Sequence, residues 1–218
     1  MDRIKSLCSY LENCTVFADV ACDHGYCAQY MLKNGLCEKC IISDVSDKSL
    51  DKARGLLSSY ISAGRCTAIC CDGLEKIEGA DLVLIAGIGG EEIIKILKNS
   101  YIPENFVFQP MKNARELRAY LIEKGCEITR DDIFSDGRNY YFVIKGKAFG
   151  KSPAYGAHEL AFGRDSLKNA VLNGYLTAEL SKKQSYLSAQ MSLKARAELE
   201  AEAKFIREVL ENETDGNT

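Results

Sequence analysis

The chain has 218 residues, of which 46% are apolar and 27% charged, with a formal net charge of -3. That is an ordinary soluble globular composition, long enough for one sizeable core plus an appendage, and its acidic balance argues against electrostatic nucleic-acid binding over a broad surface. No run approaches the roughly 18 apolar residues of a membrane span, and Met1-Asp2-Arg3-Ile4-Lys5 lacks the apolar core of an export signal, so a cytoplasmic protein with no membrane association is expected.

The elements follow in order. Ile4 to Leu11 reads as a short amphipathic helix, and Val16 to Ala21 as the first strand. Tyr26 to Asn34 is helical and stops at Gly35. Cys40 to Ser43 forms the second strand and ends at Asp44; Ser46 then caps one long helix over Asp47 to Ala63. Thr67 to Cys71 is the third strand, followed by Asp72-Gly73, and Leu82 to Ala86 is the fourth. Glu91 to Lys98 is a helix offering Ile93, Ile94, Ile96 and Leu97 for burial. Phe106 to Gln109 is the fifth strand, closed by Pro110, and Asn113 to Lys124 is the next helix.

The periodicity then changes. Glu127 to Phe134, a turn at Ser135-Asp136-Gly137-Arg138, and Tyr140 to Lys145 predict an antiparallel hairpin. Strands alternating with helices give an α/β, doubly wound parallel sheet, closed here by antiparallel strands at one edge. Residues 146–156 read as a linker, so residues 1–150 form one domain. From Ser166 to Asn212 the pattern is helical without a proline, which predicts a second domain over 157–213, built as a helical hairpin or coiled coil. Glu213 to Thr218 is expected to fray. Helical pairs pack within one chain or between chains, so a homo-oligomer formed through them stays open.

Ten cysteines lie between Cys8 and Cys126 at irregular spacing, which reads as reduced, buried thiols. Cys37-Glu38-Lys39-Cys40 resembles half of a zinc site, but no second pair follows and the histidines are only His24 and His158; no metal is expected. Charge is uneven. Residues 151–197 carry seven basic and three acidic side chains, against two and seven in residues 198–218.

In an open parallel sheet, ligands bind at the carboxyl ends of the strands. Two such ends stand out, Asp19-Val-Ala-Cys-Asp-His-Gly-Tyr26 and Leu84-Ile-Ala-Gly-Ile-Gly-Gly90. The first is acidic and lacks G-x-G-x-x-G, since Ala21 and Asp23 stand where glycines are wanted. Asp23 repels a pyrophosphate but attracts a sulfonium or an amino group, which favours S-adenosylmethionine over a dinucleotide. Asp23 also suits a helix cap, and His24 suits orienting a ligand rather than acting as a base. Asp44 can accept ribose hydroxyls or cap a helix; Asp72-Gly73 can read an adenine edge or form a plain turn. Ala86-Gly87-Ile88-Gly89-Gly90 offers close backbone approach, a tight turn, or both. Gln109-Pro110 can contact a target base, or Gln109 can be a core amide.

These motifs, with Phe108-Gln-Pro110, resemble the bacterial tRNA (adenine-22-N1)-methyltransferase family. The resemblance covers nearly the whole chain and implies a Rossmann-like class I methyltransferase sheet with a C-terminal helical coiled-coil domain. It implies S-adenosylmethionine as cofactor, held by Asp19, Ala21, Cys22, Asp23, Gly25, Asp44, Val45, Asp72, Gly73 and Ala86 to Gly90. It places Asp23, His24 and Tyr26 beside the methyl group and the incoming base, and it implies tRNA as substrate. Gln109, Pro110, Lys112 and Arg115, joined by Arg118 on the same helix, are assigned to the tRNA. The local positive charge adds Lys168, Lys182, Lys183, Lys194 and Arg196 of the basic tail to the tRNA contacts, although charge alone favours a solvated helix face. Three positions depart from the family pattern: Ala21 for glycine, Ala28 for proline and Met111 for asparagine. The residues alone support only a Rossmann-like domain suited to S-adenosylmethionine. On that basis a methyltransferase acting on a small molecule and a non-catalytic nucleotide-binding scaffold remain alternatives.

Overall fold

The computed structural model describes residues 3–215, with side chains through residue 211. Helix α1 (Arg3–Cys8) precedes strand β1 (Cys14–Val20), helix α2 (Tyr26–Lys33) and strand β2 (Cys37–Asp44). Helices α3 (Asp47–Leu56) and α4 (Ser58–Ser62) lead into strand β3 (Cys66–Cys70). Strand β4 (Leu82–Ala86), helix α5 (Gly90–Asn99), strand β5 (Asn105–Gln109) and helix α6 (Ala114–Glu123) complete the alternation. The hairpin is β6 (Glu127–Ser135) and β7 (Tyr140–Lys147); helices α7 (Ala157–Phe162), α8 (Ala170–Leu187) and α9 (Leu193–Asp215) follow.

The seven strands lie in the order β3-β2-β1-β4-β5-β7-β6. Strands β1 to β5 pair in parallel, and β7 joins β5 and β6 antiparallel. The strand order reverses between β1 and β4, which opens a crevice at their carboxyl ends. Leu82, Val83, Leu84 and Ile85 of β4 are all buried, as befits a central parallel strand covered on both faces. One face packs Leu7, Met31, Leu32, Leu50 and Leu57 over Phe17 and Ile42. The other packs Ile93, Leu97, Leu117 and Leu121 over Val83, Ile85 and Phe106. A third cluster joins Leu172 and Leu176 of α8 to Ile206 and Val209 of α9 and to Ile133 of the sheet. Helix α9 runs back along α8, as Lys183 pairing with Glu202 also requires, so the appendage is a helical hairpin.

Four expectations need correction. The single helix from Asp47 to Ala63 is broken at Leu57, whose ψ of 12° ends α3. Gly55 and the Ser58-Ser59 pair weaken helix there, while Leu57 is wholly buried. The segment after β7 is no free linker. Gly146 and Lys147 continue β7, Ala148 N–H donates to the Glu104 carbonyl, and the Ser152 hydroxyl accepts from Ile128 N–H at 2.7 Å. The second strand starts at Cys37 rather than Cys40, so Cys37 and Cys40 both belong to β2, and both are buried. Glu213 to Asp215 are helical rather than frayed; residues 216–218 lie outside the described residues.

Candidate functional site

The loop after β1 makes the site. Ala21 and Asp23 have φ of 57° and 45°, and Gly25 has φ of 70°. Three left-handed residues within five turn the chain sharply out of the sheet, so that Cys22 N–H reaches the Ser43 carbonyl at 3.0 Å and Gly25 N–H the Cys22 carbonyl at 2.8 Å. A glycine tolerates this backbone, whereas an alanine costs about 1–2 kcal/mol. Ala21→Gly is therefore expected to raise Tm by roughly 1–3 °C, the relief being partly offset by glycine's larger unfolded-state entropy. A lower Tm in a thermal melt would show that Ala21 carries no strain. A Cβ on Gly25 would also lie 3.1 Å from the Ala53 Cβ, so α3 closes against the loop here.

Asp44, at the end of β2, ties two loops together. One carboxylate oxygen accepts from Asp23 N–H at 3.2 Å, and the other accepts from Ser46 N–H at 2.9 Å. Each oxygen retains acceptor capacity for a ligand hydroxyl. The helix cap itself is Ser46, whose hydroxyl accepts from Ser49 N–H. Asp23 is half-exposed and holds Lys52 Nζ at 3.1 Å and His24 Nδ1 at 2.6 Å. Burial opposes its ionisation, but the hydrogen bonds from Lys52 and His24 outweigh that and hold the carboxyl below its ordinary range. The His24 ring stacks on Tyr26 at 5.4 Å with 3° between planes, and Tyr26 is 47% exposed. Asp19 sits deeper. It is almost fully buried, among the described residues accepts only from Ala28 N–H at 3.1 Å, and burial pushes its pKa up to about 7.

A cavity of about 590 Å³ brings together Asp19, Ala21, Cys22, Asp23, His24, Tyr26, Asp44, Val45, Ala86, Gly87 and Ile88. Arg3 also lines it, and nothing in the sequence singled that residue out. Helix α1 folds back so that Arg3 Nη2 donates to the Gln109 amide oxygen at 2.6 Å, with its guanidinium 5.3 Å from the Tyr141 ring. An isolated arginine on an amphipathic helix gives no signal of such a tertiary contact.

Other residues stand apart from this cavity. Gln109 is wholly buried, taking Arg3 on its oxygen and giving its amide hydrogen to the Pro110 carbonyl, so it is a satisfied core amide. Asp72 lines a separate hollow with Glu75 and Lys95, and Gly73 lies under Ile96. Gly89 and Gly90 open α5; a Cβ on Gly90 would lie 2.3 Å from the Asn113 carbonyl oxygen, so close helix packing requires glycine there. Pro110, Lys112 and Arg115 line a further cavity of about 360 Å³ with Tyr140, Phe142 and Tyr175.

Arg118 is corrected. It is fully buried, its Nε contacts both Asp131 oxygens at 2.8 and 2.9 Å, and its Nη1 donates to the Ala161 carbonyl at 3.1 Å. It binds the appendage to the sheet and reaches no phosphate. Four of the five tail cations face carboxylates, and Lys168 is exposed without one among the described residues. Lys182 lies 3.9 Å from Glu179, Lys194 and Arg196 each 4.0 Å from Glu198 and Glu200, and Lys183 pairs with Glu202. The basic stretch in sequence is thus interleaved in space with the acidic stretch that follows it.

All ten cysteines are free thiols, and the described residues hold no cluster of three or more metal-ligating side chains. Among the described residues, no helix is long and apolar enough to cross a membrane.

Known proteins resemble this chain in sequence and in fold. The Bacillus subtilis (strain 168) protein named tRNA (adenine(22)-N(1))-methyltransferase is 28% identical over 200 residues, 84% of this chain and 82% of that one. A Mycoplasma pneumoniae relative with the provisional description tRNA methyltransferase is 31% identical over 134 residues. That alignment takes in 59% of this chain and 61% of the relative's length. Among solved structures, a Streptococcus agalactiae protein of the NADB-Rossmann superfamily superposes with TM-score 0.86 at 26% identity, covering 96% of both chains. Mycoplasma capricolum TrmK, solved with S-adenosyl-homocysteine, superposes with TM-score 0.86 at 23% identity, covering 97% of both. The sequence profile of a methyltransferase domain matches residues 1–144, the span that holds β1 to β6, most of β7 and every residue lining the 590 Å³ cavity. The chain belongs to the methyltransferase-domain family.

Proposed function

We propose that this chain transfers a methyl group from S-adenosylmethionine to N1 of adenine 22 in tRNA. The observation that carries the reading is the alignment with the Bacillus subtilis tRNA (adenine(22)-N(1))-methyltransferase, which extends over 84% of the chain and so beyond the sheet into the helical appendage. The cavity suits the cofactor on its own terms. Its volume, about 590 Å³, lies in the range of small-molecule sites. Asp44 has lone pairs left for ribose hydroxyls, and Asp19 and Asp23 give the lining the sign that attracts a cation.

When bound, S-adenosylmethionine supplies an electrophilic methyl group on a positively charged sulfur. Adenine N1 is already nucleophilic, so the protein needs no strong base; positioning and desolvation carry most of the acceleration. The exposed Tyr26 ring, backed by His24, is a stacking surface for a purine taken out of its stack. Asp23, kept ionised by Lys52 and His24, accepts a hydrogen bond from the exocyclic amine and stabilises the positive charge that develops on the ring. The reading carries with it a cytoplasmic place of action, beside the tRNA pool.

The direct test is transfer of labelled methyl from S-adenosylmethionine to unmodified tRNA, with mass spectrometry of the nucleosides. 1-Methyladenosine at position 22 is the expected product. Cofactor binding by calorimetry with no transfer to any tRNA would shift the reading to a small-molecule acceptor.

A further inference from the structure

Of the tail lysines assigned to the tRNA, Lys182, Lys183 and Lys194 are matched by glutamates, which reduces their contribution to holding a polyanion, while exposed Lys168 meets no carboxylate within 4 Å among the described residues. Unmatched positive charge also lies next to the catalytic cavity. Helices α1 and α2 enclose a groove of about 630 Å³ that shares Ile4 and Tyr26 with the 590 Å³ cavity, so the two adjoin. Its walls carry Lys5, Gln29, Tyr30 and Lys33. Tyr26, Gln29, Tyr30 and Lys33 are spaced i, i+3, i+4 and i+7, so they form one stripe along α2. The opposite stripe, Cys27, Ala28, Met31 and Leu32, is buried in the core. Lys5 and Lys33 are exposed, and among the described residues neither meets a carboxylate within 4 Å.

Basic side chains interleaved with aromatic rings are what a single nucleic-acid strand needs: cations for phosphates and ring faces for bases. The distance from Tyr26 to Lys33 along α2 is about 10 Å at 1.5 Å per residue. At about 3.4 Å per stacked nucleotide, that holds two or three nucleotides. We infer that this α1–α2 groove holds the RNA strand flanking the target adenosine, with Lys5 and Lys33 on its phosphates and Tyr30 beside a neighbouring base. The inference rests on the tRNA reading and specifies where that substrate lies.

The test is the double variant Lys5→Glu/Lys33→Glu of the full chain, assayed with unmodified tRNA transcript. Both side chains are exposed and, among the described residues, unpaired, so the fold should be kept. The KM for tRNA should rise tenfold or more, with kcat at saturating tRNA within about twofold and the Kd for S-adenosylmethionine unchanged. The slope of log affinity against log salt should flatten by roughly 1.5, the loss of two phosphate contacts. Wild-type KM and salt slope in the variant would overturn the groove and leave the tRNA reading standing. An equal loss of cofactor affinity would also overturn it, since the lysines would then act on the catalytic cavity itself. No methyl transfer to tRNA by the wild-type chain would remove both readings together.

Discussion

Asp23→Asn is expected to lower methyl transfer to tRNA by about 100-fold or more, with the loss in kcat. The substitution keeps size and most hydrogen-bonding geometry but removes the charge. In the wild type, Lys52 and His24 hold that charge in place at 3.1 and 2.6 Å. An amide still accepts a hydrogen bond from an exocyclic amine, but it offers much less to a ring that is becoming positive. The stability of the protein should hardly move. Asp23 is half-exposed, and exposed ion pairs contribute about 0–1 kcal/mol. A melting curve within a few degrees of wild type, beside the collapse in turnover, would separate a catalytic effect from a folding effect. Turnover close to wild type would take Asp23 out of the mechanism.

The prominence of Asp23 was readable in the sequence because it depends on local facts. An acidic residue at a strand end, followed by His24-Gly25-Tyr26 and a helix, can only sit at the rim of the sheet's crevice. The same holds for Asp44 and Ala86 to Ile88, which the alternation of strands and helices brings to that rim. What the sequence could not disclose depends on contacts between distant segments. Arg3 matters because Gln109, 106 positions later, offers it an amide oxygen. Arg118 looked like a surface residue because its helix spacing matches Lys112 and Arg115. It is buried because α7 and β6 close over it with carbonyls and the Asp131 carboxylate. The tail behaved similarly. The excess of basic charge from 151 to 197 is partly offset once α9 folds back on α8 and sets Glu202 against Lys183. Charge counted along a chain describes a surface only if the chain does not fold back on itself.

Asp19 yields the second large effect, and it is one of pH. Its pKa rises from 3.8 to about 7 because burial penalises the carboxylate; only the Ala28 N–H hydrogen bond opposes this, and among the described residues no cation pairs with it. Between those two values the folded chain binds a proton that the unfolded chain has released. Stability therefore falls as pH rises across that window and levels off above about 7. Asp19→Asn removes the titrating group while keeping an oxygen for Ala28 N–H. The stability of the wild type relative to this variant is expected to fall by about 3 kcal/mol between pH 5 and pH 8, from two pH units at 1.36 kcal/mol each. Denaturant melts of both proteins at several pH values give that difference directly, with other titrating groups cancelling. A difference that stays flat from pH 5 to pH 8 would mean that Asp19 is ionised throughout. If the proposed cofactor is correct, a cationic ligand in the cavity favours the carboxylate. Calorimetry should then show affinity for S-adenosylmethionine increasing with pH through about 7 in the wild type and not in Asp19→Asn. The same desolvation that weakens the empty fold at neutral pH thus leaves a strong, unpaired acceptor for a positive ligand.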